Sequence, residues 1–160
     1  PIAGIYHTTT AGRRPPEQVS MNSTIKWVDG AMFVGQTGSG HAVVMDGPPE
    51  AGGRNLGPRP MEMVLTGMGG CTAFDVVDIL KKGRHPVTGC TVELAAERAE
   101  EAPKVFTRIH IHFVVSGPGL KAAAVERAVK LSAEKYCSAT IMLRQTVAIT
   151  HDFEIIDTAA

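Results

Sequence analysis

The chain has 160 residues, with 16 Lys plus Arg against 16 Asp plus Glu, and only 5% of it is aromatic. Balanced charge and scarce aromatics exclude a basic nucleic-acid face and a base-stacking surface, and the length fits one domain with one core. Three cysteines are too few for a secreted disulfide scaffold, the head of the chain lacks the order of a signal peptide, and the most apolar stretch is read as short of a bilayer span; the expectation is a cytoplasmic protein with no membrane and no nucleic-acid partner.

Residues 1–22 show no periodicity and are expected to be an N-terminal extension, with a short added strand around Ile2–Tyr6 as the lesser alternative. Met21 would start a single domain over residues 23–160. Ser23–Val28 alternates, Thr24, Lys26 and Val28 against Ile25 and Trp27, as a half-buried strand does. Asp29-Gly30 is a hairpin signal leading into Ala31–Thr37. Gly38-Ser39-Gly40 turns the chain again, into His41–Asp46, so a three-strand meander is expected. Gly47–Arg59 is a Pro- and Gly-rich loop, long enough to feed a site.

Pro60–Lys82 is the stretch around which the chain is organised. Met63, Val64, Leu65, Met68, Cys71, Phe74, Val77 and Ile79 cover most of a helix circumference, and a helix apolar nearly all round is usually buried. Pro60 and Glu62 suit its start, Lys81 and Lys82 its end, and Gly83 its stop. Gly67, Gly69 and Gly70 weaken a helix; their clustering before Cys71 suggests that a second helix, a partner chain or a substrate packs on the backbone there.

Beyond it, Val87–Arg98 alternates with Cys90, Val92, Leu94 and Ala96 on one face. Val105–Ser116 returns with Val105, Ile109, Ile111, Phe113 and Val115 inward. Leu120 to about Cys137 reads as a helix with Leu120, Ala124, Ala128, Leu131 and Ala133 toward the core. Ser138–Gln145 reads as a further turn of helix after a bend, and Val147–Ile156 as a closing strand. The order β-β-β-α-β-β-α-β is α+β with antiparallel sheets. A six-stranded sheet and one other helix cannot cover a helix apolar on all sides, so an obligate homodimer is expected.

Cys71 follows Gly-Gly in the apolar helix, and Cys137 ends the second helix. Each reads as a small buried hydrophobe or as a reachable thiol; if the helices cross there, the two sulfurs could meet within disulfide geometry. Cys90, mid-strand among apolar neighbours, is expected to be inert. His110 and His112 share a strand face with Arg108, and His41, His85 and His151 are scattered. No Cys-x-x-Cys or His-Glu-x-x-His accompanies them, so solvent-facing histidines and no metal are expected. The Gly-rich turns lack the Lys-Ser/Thr of a phosphate loop.

Pro60-Met-Glu-Met with Gly-Gly-Cys71-Thr-Ala-Phe-Asp-Val-Val, Ala133-Glu-Lys-Tyr-Cys137-Ser and Lys26-Trp-Val-Asp-Gly resembles the OsmC/Ohr family, specifically its YhfA-like branch. The resemblance runs from about Ser23 to Ile156. It implies an intertwined homodimer in which two central helices per chain are wrapped by β-sheets, and a thiol-dependent peroxidase acting on organic hydroperoxides. Carried over, Cys71 is the peroxidatic thiolate that becomes a sulfenic acid, and Cys137 condenses with it to a disulfide. A small dithiol or thiol protein restores both, with no cofactor. Met61, Met68 and Phe74 are the expected substrate pocket.

The family's peroxidatic members carry a Glu directly after the helix-starting Pro and an Arg in an early strand. Here Met61 follows Pro60, the carboxylate is Glu62, and no arginine lies between Ser23 and Gly53. Glu62 is the expected helper. The alternative function, from a different class, is a non-catalytic dimer of the same fold that binds an apolar or electrophilic small molecule, its cysteines structural or sensing.

Overall fold

In the computed structural model, residues 21–159 are described. The expected N-terminal extension, and the alternative strand near Ile2–Tyr6, lie outside them except for Met21 and Asn22. The described residues divide into two units, one up to Pro58 and one from Arg59 onward.

The first unit is the expected meander: β1 (Ser23–Asp29), β2 (Met32–Thr37) and β3 (Ala42–Met45) form an antiparallel sheet in that order. Asp29-Gly30 turns the first hairpin with Gly30 at φ 51, and Gly40 at φ 86 serves the second; both angles lie where L side chains are disfavoured. The half-buried reading of β1 is corrected: all seven of its residues are exposed, Trp27 and Ile25 among them. Alternation set the strand, but the described chain covers neither face. Trp27 lies opposite Phe33, and its indole N–H donates to the Gly30 carbonyl. After β3 the loop closes on the buried Asp46 carboxylate, which accepts the N–H groups of Gly47, Arg54 and Leu56. Burial opposes that charge, but the three N–H donors outweigh it and hold the carboxyl below its usual range. Gly53 permits this closure, because a Cβ there would run into the Gly47 carbonyl.

The second unit begins with α1 (Pro60–Lys82). Its start is capped by Glu62, which accepts twice from Arg59: the Arg59 N–H donates to Glu62 Oε2 at 2.9 Å and the Arg59 guanidinium to Oε1 at 3.0 Å. The sequence reading places this stretch short of a membrane span; at 23 residues it is long and apolar enough to cross one. It is instead the core helix of the unit, packed against α2 (Ala122–Leu131), α3 (Ser138–Leu143) and β4 (Gly89–Arg98).

One strip of α1 is buried: Met68, Gly69, Thr72, Val76 and Leu80. Of the three clustered glycines only Gly69 is packed, a Cβ there meeting Leu94 Cδ1 at 2.6 Å, while Gly67 and Gly70 face open space. With them, Val64 and Phe74 are exposed, Phe74 by 72%, and the 3.6-residue period puts these four on one open face. The described residues cover about half of the helix.

The second sheet is ordered β4-β5-β6, with β5 (Phe106–Ser116) in the middle and β6 (Ala148–Ile156) at the edge. Two expectations are corrected here. The strands do not form one sheet of six, and they are not all antiparallel: β4 and β5 are, but β6 runs parallel to β5, Phe113 opposite Phe153. A parallel neighbour requires a crossover, and the helical segment from α2 to α3 supplies it. Val105 is 53% exposed and Phe106 is buried in its place. A register shift at Glu97/Arg98, where Arg98 pairs with Phe106 and Glu97 with Arg108, leaves one extra residue on β5 and reverses the alternation before it.

Ile109, Ile111, Phe113 and Val115 form the buried face of β5, packed with Met68, Val76, Leu80, Val125, Ala128 and Val129 in one core. Truncating Phe113 to alanine is expected to cost about 3–5 kcal/mol. The inward face of α2 is centred on Val125, Ala128 and Val129, with Ala124 and Leu131 only half-buried, a rotation of about one residue from the expected stripe.

A candidate dithiol site

The second helix does not run unbroken to Cys137. After Leu131 it widens into a π turn at Ser132–Tyr136, closed by the Cys137 N–H donating to the Ser132 carbonyl at 2.9 Å. Such wide turns are rare and concentrate at functional sites. Cys137 then adopts extended backbone, φ −69 and ψ 101, and becomes the N-cap of α3. Its sulfur accepts from the Thr140 hydroxyl at 3.1 Å and the Thr140 N–H at 3.5 Å.

This turn lies against α1, and it carries the Cys137 sulfur to Cys71. The Cys71 sulfur, the Cys137 sulfur and a carboxylate oxygen of Asp75 all lie within 4.8 Å of one another. Asp75 follows Cys71 by one helical turn and so shares its face. Both cysteines are free thiols; Cys137 is fully buried and Cys71 half-buried. A polar seam continues behind them. The Thr72 and Ser132 hydroxyls pair at 2.9 Å, and Ser132 also donates to Asp75 Oδ2 at 3.2 Å. Thr72, Ser132 and Thr140 are each buried, and a buried hydroxyl needs such a partner.

The electrostatics separate the two thiols. Burial pushes the Cys137 thiol up; the Thr140 hydrogen bonds oppose this, and the neighbouring Cys71 adds to it. Cys137 is held as a thiol while Cys71 is the one that solvent reaches. Cys90 is likewise pushed up by burial, as an inert strand thiol should be.

The other expected site residues are placed differently. Glu62 is exposed and engaged in the α1 cap, its carboxyl held below the usual range first by the Arg59 N–H and then by the Arg59 side chain. Nine residues of helix, roughly 13 Å and half a revolution, separate it from Cys71, so within one chain it does not reach the thiol. Met68 and Phe74 flank Cys71 by one turn on either side, but Met68 is in the core and Phe74 on the open face. Met61 lies at the helix start, on a cavity of about 260 Å³ with Glu62, Leu65, Arg98 and Phe106. Among the described residues the three expected pocket residues thus have different surroundings, the core, the open face and the helix start.

Sequence reasoning missed Asp75, Ser132, Thr72 and Thr140. Asp75 had a signal, as a carboxylate one turn after Cys71 that ends the uncharged run from Met63 to Phe74; the hydroxyls had none. The histidine expectation agrees with the structure in part. His110 and His112 lie on the outward face of β5, bonded to Thr150 and Asp152 of β6 at 2.9 and 2.6 Å, and His41 and His151 are exposed.

Comparison with known proteins places these features in context. A family model described as OsmC-like protein matches residues 52–152. Protein YhfA of Escherichia coli K12 is 54% identical over 136 residues, covering 85% of this chain and 98% of the relative. A structural-genomics structure, 49% identical, superposes with a TM-score of 0.78 over 86% of this chain and 99% of the other. At 14% identity, an organic hydroperoxide resistance protein OsmC from Legionella pneumophila shares the fold, with a TM-score of 0.65 over 87% of this chain and 99% of its own.

Proposed function

The chain belongs to the OsmC-like protein family, and from that premise we propose that it is a thiol-dependent peroxidase for organic hydroperoxides, working as a homodimer. The observation that carries the reading is the approach of the Cys71 and Cys137 sulfurs to within 4.8 Å, one reachable and one buried. The name of the Legionella relative agrees with it. Cys71 attacks the outer oxygen of the hydroperoxide, giving an alcohol and a Cys71 sulfenic acid. The Cys137 thiol then displaces water to form the disulfide. A small dithiol or a thiol protein reduces the disulfide and restores both thiols, itself becoming oxidised.

The division of roles follows from burial. A nucleophile must meet substrate, which Cys71 can; a resolving thiol need only meet Cys71, which Cys137 does from the interior. The open stripe of Val64, Gly67, Gly70 and Phe74 supports the homodimer, since small and apolar residues let a second backbone approach.

A second reading is a non-catalytic dimer that binds an apolar or electrophilic small molecule. It is favoured by Asp75, an anion beside the thiols where a cation would activate them.

The test is the thiol titre of the reduced protein before and after one equivalent of cumene hydroperoxide, with peptide mapping. Loss of two thiols per chain as a Cys71–Cys137 bridge is expected, with turnover abolished in Cys71→Ser. Full turnover by Cys71→Ser, or thiols that stay reduced for hours, would overturn the proposal.

A further inference from the structure

We propose that Cys71, Asp75 and Cys137 form a binding site for a thiophilic divalent cation of the Zn²⁺ and Cd²⁺ class. The sequence reading, which weighed the histidines, expects no metal; the crossing of α1 with the π turn assembles a different donor set.

Three groups that can each carry negative charge converge within 4.8 Å, and among the described residues no cationic side chain pairs with Asp75. Like charges at such separation cannot all ionise without a compensating positive charge. A bound divalent cation supplies that charge at the point where the three donors converge. Two thiolates and a carboxylate suit a d¹⁰ ion that prefers sulfur and accepts oxygen. In a tetrahedral site the donors would stand about 3.5–3.8 Å apart, so a closure of at most about 1.3 Å from the 4.8 Å bound completes the set.

The surroundings are also those of a ligand set. Outer partners that orient the inner ligands are a regular part of metal sites. Here Cys137 Sγ already accepts two hydrogen bonds from Thr140, and Asp75 Oδ2 accepts one from Ser132. Half-buried Cys71 leaves an entry path and an open position for water. Binding exchanges two thiol protons for one M²⁺, leaving the carboxylate as the third ligand. A held ion occupies both thiols, so the loaded site neither attacks a hydroperoxide nor closes to a disulfide. Only this masking rests on the peroxidase reading; the binding does not.

The experiment is a Zn²⁺ titration of the reduced, metal-free full chain against a chromophoric chelator, without peroxide, with Cd²⁺ as a second probe for its sulfur charge-transfer absorption. One ion per chain is expected, with two protons released and both cysteines protected from alkylation. Loss of an outer partner alone typically costs roughly 10–100-fold in affinity, so Cys71→Ser, Cys137→Ser and Asp75→Asn should each weaken binding by at least tenfold, with Asp75→Glu closer to the parent. Circular dichroism checks that Asp75→Asn is folded; it keeps an oxygen for Ser132. Absence of binding, or affinity unchanged in the Cys71→Ser/Cys137→Ser double variant and lost in His110→Ala/His112→Ala, would overturn the site. A chain that binds Zn²⁺ but leaves cumene hydroperoxide intact would refute the peroxidase reading alone.

Discussion

The sulfurs of Cys71 and Cys137 lie within 4.8 Å of each other across the contact between α1 and the π turn, one half-buried and the other with no exposed surface. Their reactivities should therefore differ. With substoichiometric iodoacetamide at neutral pH, label should appear on Cys71 well ahead of Cys137, because burial holds the Cys137 thiol above its usual range and the thiolate is the reacting form. Peptide mapping checks this, and equal labelling would remove the assignment of roles.

The Thr72–Ser132 hydroxyl pair ties α1 to the π turn in the interior. Ser132→Ala strands a buried Thr72 hydroxyl and an Asp75 oxygen, and should cost about 1–3 kcal/mol. Adding Thr72→Val to it should recover part of the loss, since replacing both partners leaves no orphaned hydroxyl. Denaturant unfolding of the two singles and the double measures the coupling. Strict additivity would mean that the pair contributes little.

Phe74 is 72% exposed in the single chain. On a free surface Phe74→Asp would change stability by about 0.5 kcal/mol or less. In the proposed dimer it places a charge in an apolar interface. Sedimentation should show parent dimers and a monomeric or unfolded variant. A parent that sediments as a folded monomer at micromolar concentration would sink the dimer.

His112 and Asp152 link β5 to β6 at 2.6 Å on the outward face. The His112 value is raised, first by its hydrogen bond to Asp152, and the Asp152 value is lowered by the same bond. The histidine contribution is fully present below its unfolded value of about 6.5 and is lost as pH rises through the higher folded value. The aspartate contribution is present above about 3.9 and is lost as pH falls through the lower folded value. The pair thus stabilises most in mildly acidic solution. Asp152→Asn should move the His112 midpoint downward in an NMR titration; an unmoved midpoint would show that the aspartate has no part in the shift.

Much of the fold was legible because local patterns carry it. Alternation gave the strands, Asp29-Gly30 and Gly40 the turns, and Pro60, Glu62 and Gly83 the bounds of α1. Where reading failed, the cause was non-local. The bulge that exchanges Val105 for Phe106 depends on pairing with β4, and the parallel placement of β6 depends on the crossover through α2 and α3. In the site, the sequence alone marked Cys71 and Cys137 as a pair of interest and left open whether they meet. Only the tertiary structure decided that they do, because a π turn has no residue signature and its effect is to carry one sulfur across to another helix. The same packing brought the Cys137 sulfur to Asp75 as well as to Cys71. Periodicity fixes which face of a helix a residue occupies; which side chains converge from separate elements is set by how those elements cross.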